Sequence, residues 1–124
     1  MAEDRKIRRL QLLSLMRGVE HRDASMALAQ ALEREGRAID LSDRTTRLAI
    51  EYGARTDATT AACLRAQRGM AEHLLNLSNQ ASRGAEAASQ AFQHARSVEH
   101  DKRRQRDLVD EALQAAHRVG TILD

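Results

Sequence analysis

The side chains that could hold a metal or act as a nucleophile are five histidines and one cysteine. No two histidines stand four residues apart, so no two imidazoles share a helical face in the spacing of a zinc-binding helix. Cys63 has no second thiol to pair with and no neighbouring base to activate it, which favours a reducing compartment and a small apolar role. We therefore predict no metal site, and we expect solvent-facing positions for His21, His73, His94, His100 and His117.

Neighbouring carboxylates could act as a general acid and base if a pocket raised the pKa of one of them. A chain of two packed helices, which the composition favours, offers no such pocket. The six glycines are scattered and form no phosphate-binding loop. We therefore predict that the protein is not an enzyme and binds no cofactor. The carboxylate pairs are Glu33 with Glu35, Glu99 with Asp101, and Asp110 with Glu111.

Two basic clusters are candidate partner-binding residues. They could form a solvated face that nearby acidic residues partly neutralise, or an electrostatic dock for an acidic protein surface. Nucleic acid is the weaker alternative, because no aromatic side chains accompany the charges. The apolar end of the chain, at Val119, Ile122 and Leu123, is a further candidate docking face. The clusters are Arg5, Lys6, Arg8 and Arg9, and Lys102, Arg103, Arg104 and Arg106.

The composition restricts the fold that positions these residues. The chain of 124 residues has no Pro, no Trp, one Phe and one Tyr, and strong helix formers dominate it. Charged residues make up 31% of the chain, yet the net charge is only +2, as on solvated helix faces. No apolar run approaches 18 residues, so we predict a single all-helical cytosolic domain without a membrane span.

The second half of the chain carries the clearest periodic pattern. From Met70, steps of four and three residues reach Leu123, and only Lys102 and Gln105 are polar on the way. Such a repeat is typical of a coiled-coil seam within one long helix. Its positions are Met70, Leu74, Leu77, Ala81, Gly84, Ala88, Ala91, Ala95, Val98, Lys102, Gln105, Val109, Ala112, Ala116, Val119 and Leu123.

The first half has a less regular stripe, which ends at a break between Gly53 and Thr60. Gly53 could close a helix in the left-handed conformation, and Thr56 or Asp57 could cap the next one; Gly69 is the competing turn. We predict helix 1 at about 4–53, a turn at about 54–59 and helix 2 at about 60–121. The helix 1 stripe is Leu10, Leu13, Ala24, Ala27, Ala31, Ala38, Leu41, Leu48 and Tyr52, with interruptions at Arg17, Glu20 and Arg34.

These elements predict a long antiparallel two-helix coiled-coil hairpin with an overhanging second helix. A turn centred near residue 56 would place Leu48 opposite Leu64 and Leu13 opposite Val98. Helix 2 would then project past the start of helix 1 from about Leu113 onward, and the two basic clusters would converge at one end.

The opening Arg9-Leu10-Gln11-Leu12-Leu13, with Arg17, Glu20, Ala24 and Leu28-Ala29 after it, resembles the FliJ family of flagellar type III export. The stretch Val98-Glu99 to Arg106, followed by Asp110-Glu111-Ala112, is similar to the basic second helix of that family.

The resemblance implies a two-helix rod similar to the rotor stalk of rotary ATPases. Its expected partners are a hexameric export ATPase, the cytosolic domain of the export gate, and export chaperones. The expected location is the cytosolic face of the inner membrane, with membrane contact only through the export complex. Two alternatives remain: a small coiled-coil adaptor or chaperone that binds a partner helix, and a basic-ended architectural nucleic-acid binder.

Overall fold

The chain folds into two antiparallel helices that pack against each other. In the computed structural model, helix α1 spans Ala2–Gly53 and helix α2 spans Ala61–Leu123. The structure describes residues 2–123, although not the side chains of residues 121–123. No strand occurs within this range. The predicted all-α two-helix hairpin is therefore confirmed.

The end of α1 differs from the prediction. The backbone N–H of Ala54 donates to the carbonyl of Ile50 at 3.0 Å, which continues the helical pattern past Gly53. None of the described residues has a positive φ. Gly53 therefore ends α1 without the left-handed conformation that we expected.

The start of α2 is capped by Thr60. Its hydroxyl oxygen accepts a hydrogen bond from the backbone N–H of Cys63 at 3.1 Å, which satisfies one of the free donors of the first turn. The expected caps, Thr56 and Asp57, do not fill this position. Asp57 instead accepts from the side-chain amide of Gln67 at 2.8 Å.

The linker is thus tied to the second turn of α2. The bond from Gln67 is the main reason that the pKa of the Asp57 carboxyl is lowered, and a bond from Arg55 at 3.1 Å adds to it. Because the linker lies along α2, it does not form the predicted symmetric turn centred near residue 56.

Two compact units divide the chain, and one of them comprises residues 31–92. Here the hydroxyl groups of Thr46 and Ser78 are 2.9 Å apart, and those of Ser42 and Ser82 are 3.2 Å apart. The predicted register, in which paired positions add up to 112, placed residue 66 opposite Thr46. The observed partner, Ser78, lies 12 residues further along (78 minus 66).

This register places the overhang of α2 at the linker. Gly53, the last residue of α1, lines the same groove as Ala71. The preceding residues of α2, from Ala61 to Met70, therefore extend beyond the end of α1, and all of them except Gln67 are exposed. The predicted overhanging second helix exists, but it projects at the opposite end from the one expected.

The other unit comprises residues 1–30 and 93–124. The hydroxyl of Ser14 donates to the carboxylate of Asp110 at 2.7 Å, and Glu3 lines a groove together with Val119. The last described turns of α2 therefore lie beside the first turns of α1. The prediction that α2 projects past the start of α1 from about Leu113 is wrong, because the linker shifts the register.

Side chains with reduced exposure mark a row on each helix, and both rows advance in steps of three and four residues. On α1 the row is Ile7, Leu10, Ser14, Arg17, His21, Ala24, Leu28, Ala31, Glu35, Ala38, Ser42, Thr45, Ala49 and Tyr52. On α2 it is Gln67, Ala71, Leu74, Ser78, Ala81, Ala85, Ala88, Phe92, Ala95, Glu99, Lys102, Arg106, Val109, Leu113, Ala116 and Gly120.

These rows differ from the predicted stripes by one residue at alternate positions. Leu74 and Ala81 lie in the α2 row as expected, whereas Leu77 and Gly84 are exposed and each stands one residue before a row position. Serine, threonine and charged side chains take many of the places between the helices. Ala24 is the one buried apolar residue among the side chains that the structure describes.

Replacing Gly36 in α1 with alanine is expected to stabilise the protein by about 1 kcal/mol, because glycine is a poor helix former. A Cβ added at Gly36 meets no atom within 4 Å, so no steric cost offsets the gain. Chemical denaturation of wild type and Gly36→Ala measures the difference. Gly18→Ala, which also has open space, should give a similar gain. A loss of stability in both variants would contradict the described helix packing.

Candidate partner-binding surface

A groove of about 310 Å³ lies between the first turns of α1 and the last turns of α2. Ile7 and Leu10 belong to the α1 row and point toward α2, where the facing residues are mainly alanines. Large side chains opposite small ones leave space, and this space forms the groove. Its lining residues are Glu3, Lys6, Ile7, Leu10, Ala112, Ala115, Ala116 and Val119.

One basic and one acidic residue line this apolar groove. Lys6 lines it together with Glu3, while Arg5, Arg8 and Arg9 are exposed on the same turns of α1. Of the first predicted cluster, Lys6 therefore lines the same groove as Val119, and we call this groove the terminal groove. The side chains of Ile122 and Leu123, also predicted to bind a partner, lie outside the described residues.

The second basic cluster lies elsewhere in the same unit. The ammonium group of Lys102 is 3.5 Å from the carboxylate of Glu20, and the guanidinium of Arg103 is 2.6 Å from that of Glu99. Through Lys102 this cluster therefore stands beside Glu20 of α1 and not beside Arg5 to Arg9. The prediction that the two clusters converge is wrong, since it depended on the symmetric turn.

His21 lies at the centre of the contacts between this cluster and α1. Its Nε2 is 3.0 Å from the carboxylate of Glu99, and its Nδ1 is 3.0 Å from the Nη1 of Arg106. Since guanidinium can only donate, Nδ1 accepts from Arg106 and the neutral ring donates from Nε2 to Glu99. The expectation that His21 faces solvent is wrong, because the ring occupies a row position between the helices.

The carboxylate of Glu99 is buried, with a side-chain exposure of 8%. The hydrogen bond from His21, followed by those from Arg103 at 3.1 and 2.6 Å, lowers the pKa of this carboxyl. Burial alone would raise the pKa, so the donors decide the direction. Glu99 is therefore ionised and binds two groups: His21 across the helices and Arg103 along α2.

Glu20 occupies a similar position on α1. Its carboxylate accepts from Arg17 at 2.9 Å, and this bond is the main reason that the pKa of Glu20 is lowered. Arg17 also reaches the side-chain oxygen of Gln105 at 3.3 Å, across the two helices. Of the second basic cluster, Lys102 and Arg106 thus bond across the two helices, and the exposed Arg103 bonds to Glu99 along α2, while Arg104 is exposed.

The sequence contained a signal for these interhelical contacts. Arg17 and Glu20 interrupt the predicted stripe of α1, and Lys102 and Gln105 interrupt that of α2. Once the register is known, these interruptions face each other. Polar residues that break two stripes at matching heights indicate a hydrogen-bonded layer.

The variant Glu99→Gln is expected to be less stable than wild type at pH 7, and the difference should shrink as the pH falls. Because folding lowers the pKa of Glu99 below its usual 4.5, its contribution is complete above that pH and is lost as the pH falls through the folded-state value. Denaturation of both proteins between pH 7 and low pH measures this. The control Glu111→Gln, on an exposed face of α2, should show no such convergence. A pH-independent difference for Glu99→Gln would contradict this role of the carboxylate.

The described residues were also compared with the requirements of a metal site and of a membrane span. No three His, Cys, Asp or Glu side chains among them are arranged to hold a metal ion, and Cys63 is exposed. Within residues 2–123, neither helix has a stretch long and apolar enough to cross a membrane.

The fold and the terminal groove define a class: an all-α helical hairpin with an apolar groove between the first turns of α1 and the last turns of α2. Comparison with protein-family models, curated proteins and solved structures gave no match. The residues themselves are therefore the basis for a functional proposal.

Proposed function

We propose that this protein is a non-enzymatic component of flagellar or type III protein export that acts as the central stalk of the export ATPase ring. It links the hexamer to the cytosolic domain of the export gate and assists export chaperones. It works in the cytoplasm, at the cytosolic face of the inner membrane, and needs no cofactor of its own.

Two observations support this proposal. The sequence resemblance to the FliJ family implies a two-helix hairpin, and the chain has that architecture. The terminal groove supplies a surface suited to a partner: it is apolar at Ile7, Leu10 and Val119, and Lys6 adds a positive charge to its lining. Apolar contacts would give affinity, while Lys6 and the exposed arginines of the same turns of α1 would direct the end of the hairpin toward acidic groups of a partner.

The terminal groove is the observation that carries the proposal, and a capture experiment tests it. Purified export ATPase from the same cell should bind the immobilised protein. Val119→Asp should weaken binding by about tenfold or more, because it places a charge in the apolar lining. The matched control is Met26→Asp, an exposed apolar residue of α1 that does not line the groove.

Circular dichroism should show equal helix content in both variants, since both positions are exposed. Failure of the wild-type protein to bind the ATPase would overturn the proposal. Equal loss of binding in Val119→Asp and Met26→Asp would mean that the terminal groove is not the surface that binds the ATPase.

A small adaptor that binds a partner helix is the second candidate. The observation that favours it is the number of large apolar side chains left exposed on both helices, including Leu12, Leu15, Met16 and Val19 on α1. An adaptor would bind an isolated amphipathic helix, and would leave the rate of the export ATPase unchanged.

A further inference from the structure

The outer side of α1 carries a compact apolar patch near the start of the chain. Leu12, Leu15, Met16 and Val19 keep 63%, 68%, 59% and 55% of their surface exposed. Each of them stands two positions from a residue of the α1 row, and two positions turn a side chain by about 200° around a helix. These four residues, which we call the outer patch, therefore point away from α2.

The outermost positions of both helices, directly opposite the two rows, are polar almost everywhere else. Along α1 the seven-residue repeat continues the positions of Leu12 and Val19 at Arg5, Met26, Glu33, Asp40 and Arg47. On α2 the outermost positions are Gly69, Asn76, Arg83, Gln90, Ser97, Arg104, Glu111 and Arg118. Solvent covers such residues well, but it does not account for leucine, methionine and valine at the outer patch.

Arginines lie on the same side of α1 at both ends of the outer patch. Arg8 and Arg9 stand one turn before it, Arg22 stands one turn after it, and all three are exposed. Among the residues that the structure describes, no carboxylate forms an ion pair with these arginines. Asp23 is the one acidic residue on this side of α1 from residue 5 to residue 26. The patch is therefore bordered by positive charge that the chain does not neutralise.

The size and shape of the outer patch favour a lipid surface over a partner protein. Four side chains of one helix form a convex ridge of only a few hundred Å². A stable protein interface buries about 800 Å² on each partner. The space beside Leu15, Met16 and Val19 is lined by α1 alone, so no groove between two helices is present there to hold a partner helix.

A bilayer has no such requirement for area. Apolar side chains that enter the boundary between headgroups and acyl chains, and basic side chains that bind anionic headgroups, both contribute to the affinity of a helix that lies on the surface. A protein partner would need acidic residues at both ends of a narrow apolar groove. An anionic bilayer offers phosphates around every inserted side chain, and long arginine side chains reach them from beside the inserted residues.

We propose that the outer patch binds α1 flat onto the surface of an anionic phospholipid bilayer. Its four apolar side chains enter the boundary below the headgroups, and Arg8, Arg9 and Arg22 bind lipid phosphates. In this unit α2 lies on the other side of α1, so the hairpin binds without opening. The resemblance implies membrane contact only through an export complex, and this direct contact goes beyond it. The outer patch shares no residue with the terminal groove, so either surface can fail alone.

Co-sedimentation of the full chain with phospholipid vesicles tests the proposal. Vesicles of equal parts phosphatidylglycerol and phosphatidylcholine should bind the protein, whereas vesicles of phosphatidylcholine alone should not, and added salt should weaken the binding. Leu15→Asp should lower the partition into anionic vesicles by about tenfold or more. The substitution removes an inserted apolar side chain and places a carboxylate against anionic headgroups.

The matched control is Leu108→Asp, which makes the same change of net charge at a residue of α2 that is 62% exposed. It should bind anionic vesicles nearly as wild type does, and circular dichroism should show equal helix content in all three proteins. A wild-type protein that does not bind anionic vesicles would overturn the proposal. So would equal loss of binding in Leu15→Asp and Leu108→Asp, because net charge and not the outer patch would then control the binding.

Discussion

Replacing Ala24 with aspartate is expected to lower the free energy of unfolding by about 3 kcal/mol, and the thermal midpoint by about 10 °C. Ala24 is 8% exposed and lies in the row of α1 that faces α2. A carboxylate there would lose its hydration. Of the neighbouring row residues, Leu28 is apolar and His21 already bonds to Glu99 and Arg106.

Ala27→Asp is the matched control, because Ala27 is exposed and lies less than one turn further along α1. It should change stability by no more than about 0.5 kcal/mol. Thermal denaturation followed by circular dichroism compares the two variants. Equal effects would mean that residues 24 and 27 are equally accessible, which contradicts the described packing of α1 on α2.

Reversing the charge of Arg106 is expected to destabilise the protein far more than reversing that of Arg104. Arg106 donates to Nδ1 of His21 at 3.0 Å and pairs with Asp107 at 3.0 Å. A glutamate at 106 would remove the donor to His21 and add a negative charge near Glu99 and Asp107. Arg104 is exposed two residues earlier, so Arg104→Glu lacks these contacts and serves as the control.

Chemical denaturation of Arg106→Glu and Arg104→Glu checks this difference, and equal stabilities would contradict the role given to His21 and Arg106. The result also decides how binding experiments are designed. A triple reversal of Arg103, Arg104 and Arg106 would alter the fold, because Arg103 and Arg106 bond across or along the helices. Reversals at Arg5, Arg8 and Arg9 test binding without that complication.

The helical fold was predictable because the composition allows little else. A chain without proline or tryptophan, with a regular repeat from Met70 onward, favours long helices. A cluster of threonine and aspartate residues between Gly53 and Thr60 indicated the reversal. These signals are local, and each depends on residues within a few turns of one another.

The register could not be predicted, because it depends on the path of the linker. Asp57 bonds to Gln67, so the linker lies along α2, and Ala71 rather than a residue near 60 lies level with Gly53. A shift of this size changes every opposing pair. The composition of the linker does not reveal whether it turns tightly or follows the helix.

The sequence also predicted which residues form an apolar stripe on each helix, but not which surface packs against that stripe. The stripe positions Leu41, Leu48 and Leu77 were assigned to the contact between the two helices, yet they are exposed. A repeat of four and three residues specifies that a helix has an apolar side. It does not specify whether that side faces the same chain or another one.

Partner binding by the candidate residues stays a prediction, but the structure places them in two different surroundings. Val119 and Lys6 line the terminal groove, whereas Lys102, Arg106 and Arg103 bond to Glu20, His21 and Glu99. Charge density alone does not separate arginines that bind a partner from those that hold two helices together. Telling the two kinds of arginine apart requires knowing which acidic residues of the other helix lie opposite each arginine.

The measurement that tests the central proposal most directly is the rate of ATP hydrolysis by the purified export ATPase as this protein is added. A stalk that enters the ring should promote the assembled, active hexamer, so the rate should rise and saturate near one protein per hexamer. Val119→Asp should require a higher concentration for the same effect, and Met26→Asp should act as wild type does. An unchanged rate at saturating protein would contradict the proposal that this hairpin is the stalk of the export ATPase.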